Sequence, residues 1–112
     1  MDINSLAIDS GAFSYYSEQV RNAIDDHMTF LRNHASNSIV YFSPKDIERF
    51  EGDLYGLFLA NNIPPQYHYC VRRMNQLDSA QIVPEDLAAV VIPDYKVVDV
   101  IRQSVTTKSS VT

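Results

Sequence analysis

Two short β-like runs, Ile39-Val40-Tyr41-Phe42 and Val90-Val91-Ile92-Pro93, bracket a long stretch that has the marks of helices. That arrangement restricts the fold more than any other feature of the chain. Ser43 can accept a hydrogen bond from a first-turn N–H, Pro44 suits the first helical position, and Asp46 stands at capping-box spacing. Ile47, Phe50, Leu54, Leu57 and Phe58 recur at helical spacing and predict one helix with one apolar face. Asn61-Asn62 can close it through a left-handed residue. Ile63-Pro64-Pro65 then stops the helix and starts another, in which Tyr67, Cys70, Val71 and Met74 form a stripe that ends by Asn75-Gln76. Two helices of this length need a surface to pack on, and the flanking runs supply it as an antiparallel pair. A βααβ unit over residues 39–93 follows, with Phe50, Leu54, Phe58, Val71 and Met74 as its core. Leu87 to Val91 can also be read as a short helix starting at Pro84-Glu85-Asp86; β-branched residues before a proline favour the strand.

Upstream, residues 1–13 form a weakly alternating arm with Ile3, Leu6 and Ile8 among polar residues. A helix is expected from about Ser14 to Ala35, its apolar side made by Tyr16, Val20, Ala23, Ile24, His27, Met28 and Leu31. Downstream of Pro93, Asp94 can cap a helix that puts Val97, Val98, Ile101 and Val105 on one face. The valine content equally permits a strand. Residues from Thr106 to Thr112 are read as a polar tail, either frayed or with backbone groups suited to adding a strand to a neighbour's sheet. The segments are therefore an arm (1–13), a helix (14–36), the βααβ unit (39–93) and a C-terminal segment with tail (94–112).

A chain of 112 residues suits one domain with a modest core. Its net charge of −5 argues against nucleic-acid binding. Arg72-Arg73 form the only local basic cluster and are expected on a solvated helix side. No apolar run approaches a membrane span, and the first residues lack the pattern of a secretory signal. The single cysteine, Cys70, falls on the buried stripe and reads as structural. His27, His34 and His68 lack metal-ligand motifs, so no metal or other cofactor is expected. The acidic pairs are solvated faces or helix-start charge, and no local signature assigns a nucleophile. Catalysis is not expected.

Seven tyrosines and no tryptophan are many for this length. Tyrosine suits interfaces, and it also fills cores with its hydroxyl at the edge; composition leaves both open. The residues singled out for contact with partners are Ile3, Leu6, Ile8, Tyr15, Tyr67, Tyr69, Tyr95 and Val105.

With Asn75 closing the second helix and Ile92-Pro93 ending the last strand, the βααβ unit resembles the LysM domain. Ser43-Pro44, Asp53-x-Tyr55, the aromatic helix from Tyr67 through Arg73-Met74-Asn75, and Ile92-Pro93 together are similar to the LysM-like baseplate wedge proteins of contractile-tailed phages. That resemblance implies an α+β virion protein that clamps neighbouring tail subunits, present in several copies in a symmetric assembly and made in the host cytoplasm. It implies no enzymatic activity. Free-standing LysM modules bind N-acetylglucosamine chains on two loops, carrying a Gly-Asp-Thr at the first helix and a glycine before the last strand. Here Ser43-Pro44-Lys45-Asp46 and Glu85-Asp86-Leu87 stand there, so glycan binding is not expected. A peptidoglycan-binding module is the alternative, and an enzyme or regulator with an unrecognised site is a third class.

Overall fold

In the computed structural model, which describes residues 17–111 (side chains from 17 to 105), the helix start at Ser43 forms as its sequence dictates. Ser43 Oγ accepts from the Asp46 N–H at 3.2 Å and Pro44 opens the helix. The elements are α1 (Glu18–Asp26), α2 (Met28–Arg32), β1 (Ser38–Tyr41), α3 (Pro44–Arg49), α4 (Leu54–Ala60), a 3-10 turn (Pro65–Tyr67), α5 (His68–Met74), β2 (Ala89–Ile92) and α6 (Tyr95–Val111). Together they make an α+β fold. β1 and β2 pair antiparallel, with Ser38 opposite Ile92 and Tyr41 opposite Ala89. Each strand begins one residue earlier than expected, within the ordinary play of strand boundaries.

The single helix expected from Pro44 to Ala60 is two helices. Gly52 takes the left-handed region at φ 77°, where a side chain would be strained. Asp53 then restarts the helix, its Oδ1 accepting from the Gly56 N–H at 3.0 Å. A Cβ at position 56 would collide with that capping carboxylate. The Leu54 N–H donates to the Ala80 carbonyl at 3.0 Å, anchoring the break to the connection before β2. Local turn chemistry at Glu51-Gly52-Asp53 overrode a continuous apolar period. Phe50 therefore sits at the C-cap of α3, half-buried rather than in the core, with the Arg49 guanidinium 5.2 Å from its ring centroid.

The N-terminal helix is also interrupted. Ser17 caps α1 through its Oγ, which accepts from Val20, and His27 separates α1 from α2. His27 is exposed, not on the apolar side. Residues 14–16, where this helix was expected to begin, lie outside the described residues.

Val20 and Ile24 of α1 and Leu31 of α2 join Leu54, Phe58, Val71, Val90 and Val98 in one buried cluster. α1 packs against both α5 and α6, and α2 packs against α5. The core is thus not confined to the βααβ unit; helices on both sides of the unit complete it. The segment after Pro93 is helical. Asp94 Oδ1 accepts from the Lys96 N–H at 3.0 Å, and Val98 and Ile101 are buried. α6 continues to Val111, so the backbone of residues 106–111 is engaged in a helix and is not available to extend a neighbour's sheet.

Asn75 joins α5 to the sheet. Its Nδ2 donates to the Val71 carbonyl at 2.7 Å and to the Val91 carbonyl at 2.9 Å. Its Oδ1 accepts from the Val91 N–H at 2.8 Å. Asn62 and Gln76 take left-handed φ values of 66° and 57°, each just past the end of a helix, which is where that conformation releases a chain from helical geometry.

Candidate functional site

Of the residues singled out for partner contact, Tyr67, Tyr69, Tyr95 and Val105 lie among the described residues. Tyr67 is a core residue, only 6% exposed. Its ring stacks on Tyr95 with centroids 4.0 Å apart, and its hydroxyl donates to Asp99 Oδ1 at 2.9 Å. An interface role for Tyr67 is therefore corrected to an internal one. Tyr95 is half-buried as the other half of that stack, and Val105 is half-buried against the core. Tyr69 donates to Asp25 Oδ2 at 2.9 Å, and the Arg21 and Arg72 guanidinium groups lie within 6 Å of its ring centroid, at 5.9 and 5.4 Å. Burial first, then the bond to Asp25, hold the Tyr69 phenol above its usual pKa. Ile3, Leu6, Ile8 and Tyr15 lie outside the described residues.

Arg72 is not the solvated cation expected. Its Nε donates to the Tyr55 hydroxyl and its Nη1 to the Leu77 carbonyl, at 3.1 and 2.9 Å. Arg73 is exposed and pairs with Asp25 at 3.0 Å. An exposed pair of this kind contributes little to stability.

The sheet carries the exposed aromatic that sequence reasoning did not single out. Tyr41 is 74% exposed and Ile39 is 54% exposed, while Val40 and Phe42 turn inward. A two-stranded sheet with one covered face alternates in this way, and the run Ile39-Val40-Tyr41-Phe42 contains that signal once one face is assigned to solvent. The two edges of this sheet differ. The Phe42 N–H donates to the Ala88 carbonyl at 2.9 Å. By antiparallel alternation Val40–Val90 and Ser38–Ile92 are then the hydrogen-bonded pairs. The backbone groups of Ile39, Tyr41, Ala89 and Val91 point away from the ladder. On the β2 side Asn75 takes both groups of Val91. On the β1 side, among the described residues, no hydrogen bond reaches the N–H or C=O of Ile39 or Tyr41.

An open groove of about 380 Å³ lies between α3 with the turn after it and the connection before β2. Pro44, Ile47 and Val83 form its apolar walls, and Glu48, Glu51 and Glu85 give it three carboxylates. Among the described residues, no aromatic ring lines it.

Two chemically active side chains are internal. Cys70 is fully buried, and burial pushes its thiol up to about 12, so it stays protonated. His68 is buried against Phe58 and Tyr55. Its Nε2 lies 2.7 Å from the Ile63 carbonyl, which can only accept, so that nitrogen carries the proton. Desolvation lowers its pKa against the opposing effect of that bond. Among the described residues no group of three or more His, Cys, Asp or Glu could hold a metal ion, and no helix is long and apolar enough to cross a membrane. No family model matches the chain, and neither a curated protein nor a solved structure does.

Proposed function

We propose that the protein is a structural component of a phage tail, a baseplate wedge element held between neighbouring subunits by a LysM-like domain and its terminal segments. One observation carries the reading. Asn75, the residue that closes α5, is hydrogen-bonded to both backbone groups of Val91, next to Ile92-Pro93. Two marks of the resemblance, Asn75 and Ile92-Pro93, thus lie at one joint between helix and strand. The role needs no chemistry, only a rigid unit with adhesive surfaces. The decisive experiment removes residues 1–11. The expected result is an unfolding midpoint near that of the intact chain, because the described core begins at Val20, together with reduced occupancy in purified virions. Full occupancy would overturn the clamping arm, and a collapsed midpoint would place the arm in the domain's own core.

The groove at Glu48 and Val83 favours a second reading, a module for oligomeric N-acetylglucosamine, because it lies between the two loops that hold glycan in LysM domains. Titration with such oligomers distinguishes the two. Saturable binding localised to Pro44, Ile47 and Val83 would support the module.

A further inference from the structure

We propose that β1 pairs antiparallel with β1 of a second copy of this chain, about a two-fold axis at Val40, joining two sheets into one of four strands. The interaction goes beyond the assembly role and does not depend on it.

The hydrogen-bond pattern sets the register. Each β1 presents four outward backbone groups, the N–H and C=O of Ile39 and of Tyr41. Setting Ile39 opposite Tyr41 of the second copy, and Tyr41 opposite its Ile39, makes two bonds at each pair and leaves none of these groups over. Val40 then faces Val40 across the axis and keeps its own ladder bonds to Val90. A shift of two residues in one direction would need the Asn37 N–H, which is already given to the His34 carbonyl at 3.2 Å. A shift in the other direction would need the Ser43 carbonyl, which already accepts from Ile47 at 3.1 Å. The free stretch of edge is therefore as long as one self-paired register requires.

Side chains and charge select the occupant. Ile39 of one copy would lie beside Tyr41 of the other on the exposed face, an aromatic–β-branched cross-strand pair. Ser36 to Pro44 contains no charged residue, so two chains of net charge −5 can meet there without opposing like charges. A charged foreign strand finds no counter-charge on this edge. The edge also lacks the lysine, proline or bulge with which free edges are commonly guarded. One isoleucine, one tyrosine and four residues of backbone from each copy cover less than the roughly 1,000 Å² of a lasting interface. The dimer is thus reversible and concentration-dependent.

The test is sedimentation of the purified full chain from micromolar to millimolar concentration, with amide exchange followed in parallel. The mass should double across that range, and the Ile39 and Tyr41 amides should gain protection as it does. I39P removes an outward N–H without touching the β1–β2 ladder, and Y41K places a charge on the edge; each should abolish the doubling in a chain that still unfolds cooperatively. I39K/Y41E, which sets opposite charges across the axis, should restore it. A monomer at millimolar concentration overturns the proposal, as does a dimer undiminished in both single-site variants. Protection of both amides while the mass is still that of a monomer overturns it in favour of a strand from within the chain. Because virions are not involved, failure here leaves the tail role standing, and failure of that role leaves the dimer standing.

Discussion

Tyr67 and Tyr41 are the same kind of residue in two regions that treat it oppositely. Among the helices, Tyr67 is stacked on Tyr95, tied to Asp99 and almost hidden from solvent. On the outer face of the sheet Tyr41 is largely bare, beside an exposed isoleucine and an open strand edge. The contrast has a physical origin. The helical region is closed by α1 and α6 from outside the βααβ unit, so its aromatic residues find partners within the chain. The sheet has two strands and one covered face, so Ile39, Tyr41 and the β1 edge beside them are left largely to solvent. Tyrosine content alone therefore does not tell internal rings from exposed ones; edge and face geometry does.

The largest test of this comparison lies in the helical region. Leu54 is fully buried at the start of α4, and Leu54→Ala should cost about 2–5 kcal/mol through lost burial and a residual cavity. Urea unfolding of that variant at near wild-type stability would mean that the helices are not the closed half of the molecule. The joint between the regions comes next. Asn75→Ala strips three hydrogen bonds and leaves the Val91 N–H and C=O without their partner. It should cost about 1–3 kcal/mol, and exchange at the Val91 amide should accelerate by more than exchange within α1. Equal acceleration everywhere would show that Asn75 stabilises the whole fold without guarding that edge. The smallest effect is expected on the sheet's bare face. Tyr41→Thr keeps a β-branched residue in the strand and should change the stability of the dilute chain by about 0.5 kcal/mol or less. A larger loss would mean that the Tyr41 ring is anchored within the monomer and that the two regions differ less than their exposures suggest.

Much of the order of elements was legible from local chemistry. Ser43-Pro44, Asn61-Asn62, Ile63-Pro64-Pro65 and Asn75-Gln76 act through their own backbones and nearest neighbours, and each ends or starts an element as expected. The antiparallel pairing of the two β-like runs was legible as well, because two helices of that length leave few other surfaces to cover them. The break at Gly52-Asp53 was misread because the apolar period runs through it unbroken. Periodicity records which side is buried and is blind to a cap that restarts a helix in the same phase. The tail after Thr106 was misread because its serines, threonines and valine are weak helix formers, and packing of Val98 and Ile101 further back in α6 outweighs that preference.

Residue type and spacing within one or two turns were enough to fix the turns at Ser43-Pro44, Asn61 to Pro65 and Asn75-Gln76, and to place Cys70 inside. Which tyrosines are spent internally, which glutamates share a groove and which sheet edge stays open were decided only by the tertiary structure. Each of those depends on a partner far along the chain: Asp99 for Tyr67, Asp25 for Tyr69, Val83 and Glu85 for the groove at Glu48, and Asn75 for Val91. Local spacing carries no record of such meetings, because they exist only once burial of one shared core has brought the elements together.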